Sequence, residues 1–444
     1  MKKRSTIGRE SFAALETVTV STLDAPKRVF DLTTGLPSLT TLFADLRSVI
    51  DPYEGTTIFY VHLSSNPIIE ERYGWEALEA YLELVHNYLG RLSQDVRRER
   101  EHCHIARAFA DDYVALMPRR EDDEALSSRI VDEMNRHIAA VDTDLAALNE
   151  VYVGRAHVKP FPKIHPERLL YRGIQQAQTE ATDVGRQKLS AQVRVLDGCL
   201  AAPQKRFSIV YQPLVRLDDL SIFAYEALAR CSHEKLRNPH VLFNVAEQSD
   251  RVWPLSRRLR KLAMTPEVEL PSGALLFVNL HPSDFADPKL LAPEAHVLAL
   301  ADRLVLEVTE RAAIGDFDTF RANIDKLRAL GLRIAIDDLG SGYAALSAAA
   351  ELDPEFIKFD MTLIRDIDQS PIRQNLVRNM VAFAVEAGAE VVAEGVETEA
   401  ELNTIRDLGC HHVQGYLLAR PALPFVTELT LPSPSAGQEA PAGS

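Results

Sequence analysis

Cysteine is scarce in this 444-residue chain, and its few cysteines are far apart. The four are Cys103, Cys199, Cys231 and Cys410, and no two of them form a CxxC pair. Disulfide frameworks and cysteine-based zinc sites need more, or more closely spaced, cysteines. The sequence therefore argues against both, and it is typical of a protein from a reducing, cytoplasmic compartment.

Long apolar runs are also missing. No stretch approaches the ~20 apolar residues that a transmembrane helix needs. The opening MKKRSTIGRESF has basic residues but no apolar core behind them, and a secretory signal requires such a core. We therefore expect no membrane span, no secretory signal and a cytoplasmic location.

Positive charge is in deficit. The chain has 49 Lys and Arg against 64 Asp and Glu, a formal net charge of −15. Such an acidic chain is a poor candidate for binding a nucleic-acid polymer. A small phosphorylated ligand stays open, because bound metal ions reverse the local charge. The hydrophobic content of 46% is that of a globular protein, and the length predicts two or three domains.

Composition and patterning divide the chain into a mobile lead-in (1–28), a first block (29–190), the end of a linker helix (191–206), a second block (207–430) and a disordered tail (431–444). The first block alternates helices with strands, which predicts an α/β sandwich. Its predicted helices are Ser38–Ile50, Trp75–Leu92 and Glu124–Leu148, and its predicted strands are Thr57–Leu63, Ala108–Leu116 and Glu150–Val158.

The second block repeats strand and helix. Helix signals lie between the strands: Pro371 after a capping Ser370, and a Thr398–Glu401 capping box. This pattern predicts a (β/α)8 TIM-like barrel, either regular or with an irregular start. The predicted strands are Phe207–Leu214, Ile222–Leu228, Leu275–Leu280, Leu304–Val308, Arg333–Asp337, Phe356–Phe359, Glu390–Ala393 and His412–Tyr416.

Acidic residues lie toward the ends of these apolar runs. A buried carboxylate is costly unless it is paired or bound to a metal, and the chemistry of such barrels lies at the C-terminal ends of the strands. The arrangement predicts a metal-dependent hydrolase site. The acidic residues are Glu226, Glu307, Asp337, Asp338, Glu394 and Glu397.

Eight motifs in order make residues 207–424 resemble the EAL domain of cyclic di-GMP phosphodiesterases. They are Tyr-Gln-Pro (211–213), Tyr-Glu-Ala-Leu-Ala-Arg (225–230), Phe-Val-Asn-Leu (277–280), Leu-Glu-Val-Thr-Glu (306–310), Ile-Asp-Asp-Leu-Gly (336–340), Ile-Lys-Phe-Asp (357–360), Ala-Glu-Gly-Val-Glu (393–397) and Val-Gln-Gly-Tyr (413–416).

The resemblance implies a two-metal site for Mg²⁺ or Mn²⁺ and a role for each matching residue. Asn279 joins the carboxylates as a metal ligand, and Lys358 would orient or help deprotonate the attacking water. Glu310 would anchor the loop after Asp338 and couple the site to a dimer interface. One ion would be held by Glu226, Asn279, Glu307 and Asp337, and the second would be held or approached by Asp337, Asp338 and Glu394. The dinucleotide would be contacted by Gln212, Arg230 and Tyr416. Gln414 would support the metal-bound water.

Plainer interpretations stay open for single residues. Asp338 could cap the turn after its strand, and Glu397 could cap or pair with a neighbour. Lys358 could be a surface lysine, and Tyr416 could be core. The chain also has Leu339 where the family usually has Phe, which bears on regulation through the Glu310 loop.

The first block resembles a degenerate GGDEF (diguanylate cyclase) domain. The signature position reads Phe109-Ala-Asp-Asp-Tyr113, without the glycines that let a chain turn around phosphates. His62 stands where the family has a metal-binding aspartate, and Glu70 where it has a guanine-reading Asn. Cyclase activity is not expected, whereas a regulatory or dimerising module with residual GTP binding is. Asp111 and Asp112 could hold a cation or be solvated turn residues, and the block could instead serve only packing.

The resemblance therefore implies a homodimeric enzyme that opens cyclic di-GMP to linear pGpG. The main alternative is a non-catalytic cyclic di-GMP receptor that acts through a partner. A third is an interaction scaffold whose barrel binds no ligand.

Overall fold

The computed structural model describes residues 36–44, 55–64, 66–100, 103–108, 112–141, 149–202, 206–264, 269–309, 317–339 and 351–429. The predicted lead-in and tail lie outside these residues. So do Glu310, Asp111 and the predicted helix ends at Ile50 and Leu148. No helix in the described ranges is both long and apolar enough to cross a membrane.

The chain forms two compact units. The first unit comprises Met1–Leu63, Leu82–Met134 and Val151–Thr182, and the second comprises Ser64–Tyr81, Asn135–Glu150 and Asp183–Ser444. The bounds expected from composition, 29–190 and 207–430, are continuous and stay a prediction.

The first unit contains a four-stranded antiparallel sheet in the order β2-β3-β1-β4. The element order is β-α-β-β-α-β, which with this strand order is the ferredoxin-like arrangement. The elements that precede the barrel, of which α2, α3 and α4 extend past the bounds of the first unit, are α1 (Leu39–Ala44), β1 (Thr56–Leu63), α2 (Asn66–Arg100), β2 (His104–Arg107), β3 (Tyr113–Pro118), α3 (Asp123–Ala139), β4 (Val151–Val158) and α4 (Pro166–Ala201).

The predicted strand Ala108–Leu116 is wrong, because the chain reverses there. β2 ends at Arg107, and the Ala108 N–H donates to the Asp112 carbonyl at 2.7 Å before β3 begins. The apolar pattern continues from the end of β2 to the start of β3, so the prediction treated this stretch as a single strand. The helix predicted from Glu124 likewise ends early, at Ala139.

The second unit contains a closed eight-stranded barrel, as predicted, in the order β10-β11-β12-β5-β6-β7-β8-β9. Strand β5 is antiparallel to β6 and β12, and the other neighbours are parallel. The start is therefore irregular. The five-residue turn 217–221 explains it, since a parallel pair would need a crossover connection of a dozen or more residues.

The barrel strands are β5 (Phe207–Arg216), β6 (Ile222–Cys231), β7 (Leu275–Asn279), β8 (Leu304–Thr309), β9 (Arg333–Leu339), β10 (Phe356–Phe359), β11 (Glu390–Ala393) and β12 (His412–Val413). The remaining helices are α5 (Pro239–Glu247), α6 (Val252–Ala263), α7 (Ala295–Leu298), α8 (Phe317–Ala329), α9 (Met361–Ile364), α10 (Pro371–Glu386) and α11 (Glu399–Asp407).

Helix ends follow the local signals in the sequence. Ser370 caps α10 with Pro371 in its first turn, and the Thr398–Glu401 capping box begins α11. Gly388 and Gly409 follow these two helices at φ +78° and +87°, where a side chain would be strained.

Aromatic side chains fill one end of the barrel interior. Phe223 and Phe356 lie at the starts of β6 and β10, Phe277 lies in the middle of β7, and the Phe277 and Phe356 ring centroids are 5.1 Å apart. They pack with Val305 and Val392 in one buried cluster. The N-terminal end of the barrel is thus closed by apolar packing, which leaves the C-terminal ends of the strands for polar groups.

Candidate functional site

Strand register brings the predicted polar residues to the C-terminal end of the barrel. Glu226 on β6 lies opposite Gln212 on β5, and Asn279, the last residue of β7, lies opposite Glu307 on β8. Glu394 follows β11 directly. Residues as far apart in the sequence as Gln212 and Glu394, which are separated by 182 positions, therefore belong to one end of the barrel.

Lys358 on β10 lies in the middle of four carboxylates. Its Nζ is 2.5 Å from Glu307 Oε1, 2.6 Å from Glu394 Oε1, 3.1 Å from Asp337 Oδ1 and 3.7 Å from Glu226 Oε2. Lys358 is 1% exposed, so the alternative of a surface lysine is wrong. These five side chains are called the Lys358 cluster below.

Two amides hold the Glu226 carboxylate from either side. Asn279 Nδ2 donates to Oε1 at 2.9 Å, and Gln414 Nε2 donates to Oε2 at 2.8 Å. Gln414 comes directly after the two-residue strand β12, and its N–H donates to the Ala393 carbonyl at 2.8 Å. The predicted strand His412–Tyr416 is thus shorter than expected, because the chain turns once Gln414 has reached the site.

A β-bulge occurs at the paired aspartates. Ile357 pairs with Ile336 and Phe359 pairs with Leu339, so the backbone of both Asp337 and Asp338 lies opposite the single residue Lys358. Bulges of this kind redirect side chains and are common beside active sites. Sequence alternation cannot place a bulge, and it was not expected.

The family-model comparison matches the EAL domain over residues 200–421, which is half of the chain. The chain belongs to the EAL domain family.

Curated relatives extend the similarity. The chain is 32% identical over 230 residues to the cyclic di-GMP phosphodiesterase PA2567 of Pseudomonas aeruginosa, covering 50% of this chain and 39% of that protein. It is 28% identical over 396 residues to the cyclic di-GMP phosphodiesterase NbdA of the same organism, covering 83% and 49%. The chain thus spans less than half the length of these two relatives.

Among solved structures, the EAL barrel is similar to the PaMucR phosphodiesterase in its c-di-GMP complex. That match has 29% identity and a TM-score of 0.46, and it covers 49% of this chain and 97% of the other.

Charge in the EAL barrel is unevenly balanced around Lys358. Burial raises the pKa of Glu307 well above its ordinary value, and the Glu226 charge adds to the effect. Burial also raises the pKa of Glu394 well above the ordinary value, although Lys358 opposes it. Burial also acts to raise the pKa of Glu226, but Lys358 and the hydrogen bonds from Gln414 and Asn279 outweigh it, so this pKa is lowered.

The surrounding carboxylates also change the pKa of Lys358. Burial alone would lower the pKa of Lys358, but Asp337 and the three glutamates together raise it well above the ordinary value. The ammonium is therefore the stable form at neutral pH.

The donor set fits a hard divalent cation. Of the two Glu307 oxygens, Oε1 meets the Lys358 ammonium and Oε2 has no hydrogen bond from any described residue; Gln414 Oε1 has none either, although all three atoms are buried. Carboxylate and amide oxygens are the ligands that Mg²⁺ and Mn²⁺ prefer. The four carboxylates share the Lys358 ammonium, which lies between them. In the described part of the chain no three His, Cys, Asp or Glu side chains surround a single point as metal ligands do.

The residues predicted to contact the dinucleotide lie around this cluster. Gln212 Nε2 donates to the Ala419 carbonyl at 3.2 Å, and Arg230 Nη1 donates to the carbonyl of its neighbour Ala229 at 2.9 Å. Tyr416 is 49% exposed, so the alternative of a core tyrosine is wrong. None of the three touches the carboxylates of the Lys358 cluster through a described hydrogen bond.

Of the other predicted residues, some contact neighbouring side chains and some lie outside the described residues. Glu397 Oε1 accepts from Arg365 Nη2 at 3.2 Å, as its plainer interpretation held. Leu339 is buried in the main apolar cluster of the barrel. The Glu310 anchor and the loop after Leu339 fall outside the described residues, as does the Asp338 side chain.

Arg420 was not singled out from the sequence. Its guanidinium lies over the Tyr416 ring, 4.2 Å from the centroid. The available signal was an arginine four residues after the tyrosine in a turn-rich segment, which by itself indicates no contact.

In the first unit Asp112 is not a solvated turn residue, which corrects the prediction. It is 8% exposed, and its carboxylate accepts hydrogen bonds from Tyr60 Oη at 2.8 Å and the Leu63 N–H at 2.9 Å. His62 Nδ1 lies 2.9 Å from the same carboxylate. The residue closes a network in the sheet instead of facing water.

Proposed function

We propose that the barrel hydrolyses cyclic di-GMP to linear pGpG and that it depends on Mg²⁺ or Mn²⁺. The observation that supports this most strongly is the buried group of four carboxylates around Lys358, in which Glu307 Oε2 has no hydrogen bond from any described residue. The names of the similar Pseudomonas proteins supply the substrate class.

Six residues would hold the cations: Glu226, Asn279, Glu307, Asp337, Asp338 and Glu394. Bound there, the cations would lower the pKa of a coordinated water and stabilise the negative charge that develops on the phosphoryl oxygens.

The chain's own residues would bind the substrate and orient the groups that react. Lys358, as an ammonium, has three N–H donors and no acceptor, so it can direct a water or a phosphoryl oxygen but cannot take a proton while charged. Gln414 and Asn279 hold Glu226 in one orientation through its two oxygens. Arg230 has a guanidinium suited to paired hydrogen bonds with phosphate, and the incoming ligand would replace its contact with Ala229.

A chromatographic assay of the whole chain with cyclic di-GMP and Mg²⁺ or Mn²⁺ tests the proposal. We expect pGpG from the wild type, and a loss of at least about a hundredfold in kcat for Glu226→Ala, which removes a metal ligand. The exposed Lys289→Ala is the control. Wild-type turnover by Glu226→Ala would refute the site, and tight binding without product would favour the receptor alternative.

We further propose that the first unit regulates the barrel and makes no cyclic dinucleotide. The hydrogen bonds that Asp112 accepts from Tyr60 and Leu63 leave it poorly placed to serve a metal-bound GTP. Calorimetric titration of the whole chain with GTP tests whether residual binding survives, and a wild type that makes cyclic di-GMP from GTP would overturn the proposal.

A homodimer through the EAL barrel is also proposed. Sedimentation of the whole chain at several concentrations tests it, and a monomer at every concentration would reject it.

A further inference from the structure

Tyr416 and Arg420 form an exposed aromatic–guanidinium pair in the EAL barrel. The Arg420 Cζ lies 4.2 Å from the ring centroid, and the tyrosine is about half exposed. A cation over an aromatic face is held flat against it. Arg420 has no ion pair with any carboxylate among the described residues, so its N–H donors face solvent.

The pair lies on a loop whose two ends touch the site. At one end Gln414 donates to Glu226 at 2.8 Å. At the other, Ala419 accepts from Gln212, whose strand position is opposite Glu226. The pair is therefore part of the rim of the Lys358 cluster.

Backbone contacts hold this loop in place. The Leu417 N–H donates to the Val396 carbonyl at 3.1 Å, and Tyr211 and Ala422 exchange two backbone hydrogen bonds at 2.8 and 3.0 Å. Gly415 approaches Val396 so closely that an added Cβ would lie 2.0 Å from the Val396 oxygen. A loop packed this tightly presents Arg420 in a defined position.

We propose that Arg420 reads a guanine base of the substrate by donating to its O6 and N7 atoms. This assignment rests on the proposed function. When one phosphodiester of a cyclic dinucleotide lies at the Lys358 cluster, the bases extend toward the rim. Guanine presents two acceptors that match a guanidinium fork, whereas adenine presents N7 and an amino donor. The neighbouring tyrosine adds a stacking face that suits a base and not a phosphate.

The test compares Arg420→Ala, Arg420→Lys and the wild type by the KM for cyclic di-GMP and by the Ki of cyclic di-AMP as a competitor. For both variants we expect the KM to rise about tenfold or more, with kcat within about twofold and the Ki of cyclic di-AMP unchanged. Lysine keeps the charge but lacks the paired donors. Arg378→Ala is the matched control, because Arg378 is exposed and contacts only Asn375, on its own helix.

Two results would overturn the assignment. An equal loss for both dinucleotides would mean a phosphate contact, and unchanged values would mean that Arg420 plays no part. Calorimetric Kd values for both dinucleotides in EDTA give the same comparison without turnover. A wild type that binds guanine selectively through Arg420 but hydrolyses nothing would refute the proposed hydrolysis and not this assignment.

Discussion

Asp112 in the first unit and Glu307 in the second are both buried carboxylates close to β-strands, yet they differ in the groups that surround them. Asp112 accepts hydrogen bonds from a tyrosine hydroxyl and a backbone N–H, and it pairs with His62. Glu307 accepts no hydrogen bond from a hydroxyl, an amide or a backbone N–H of the described residues, and it shares the Lys358 ammonium with three other carboxylates. A carboxylate that accepts several hydrogen bonds stabilises the fold, whereas a group of carboxylates that share one ammonium is available for a ligand.

The difference arises from how many donors each strand arrangement supplies. In the antiparallel sheet, Tyr60 and His62 are both on β1, and Asp112 comes just before its partner strand β3. In the barrel, parallel strands bring their acidic residues to one mouth, where four carboxylates share the Lys358 ammonium. Four predictions test this contrast.

The largest effect is expected for Lys358→Met without divalent cations. Removing the buried Lys358 ammonium takes a shared positive charge from four carboxylates, so the free energy of unfolding should fall by about 3–5 kcal/mol. Urea unfolding in EDTA measures it, and added Mg²⁺ should restore part of the loss. The exposed Lys289→Met is the control, and an unchanged urea midpoint would contradict the charge imbalance.

Asp112→Asn should cost about 1–3 kcal/mol, because His62 loses its charged partner and a buried hydrogen-bond network is disturbed. Unlike the lysine variant, this loss should be the same in EDTA and in Mg²⁺. A loss that Mg²⁺ reverses would place a cation at Asp112 and remove the contrast.

Glu307→Gln should act in the opposite direction. Burial and the neighbouring carboxylates disfavour the ionised form of Glu307, so a neutral amide in its place should raise the free energy of unfolding in EDTA by up to about 1 kcal/mol. The variant should also lose the stabilisation that Mg²⁺ gives the wild type. Thermal unfolding with and without Mg²⁺ shows both effects, and a wild-type response to Mg²⁺ would exclude Glu307 as a ligand.

The smallest effect concerns pH in the first unit. The hydrogen bond with Asp112 raises the pKa of His62. A raised folded-state pKa contributes stability that is complete below the unfolded pKa and disappears as the pH rises through the folded one.

The wild type should therefore exceed His62→Gln in stability more at about pH 5.5 than at about pH 9. The difference should stay below about 1 kcal/mol, since the imidazole is 35% exposed and screened. Urea unfolding at the two pH values measures it, and an equal difference at both would argue against the pairing.

Local sequence signals predicted much of the barrel. Apolar runs of strand length marked all eight strands, and Ser370 and the Thr398–Glu401 box marked where helices begin. Boundaries were less accurate where a local pattern continues through a turn. Ala108–Leu116 reads as one strand, although a hairpin reversal separates β2 from β3.

The barrel class and the residue types at its mouth could be predicted from the sequence, because strand periodicity, helix caps and carboxylates in apolar runs are local properties. Which of these residues meet depends on the folded chain. Glu226 and Lys358 are 132 positions apart, and the bulge opposite Lys358 depends on pairing between two strands. The fold also places Asp112 beside a tyrosine hydroxyl and a backbone N–H, Glu307 beside a shared ammonium, and Arg420 on Tyr416. Hydrogen-bond satisfaction and charge balance depend on neighbours from distant segments, and only the folded chain brings those segments together.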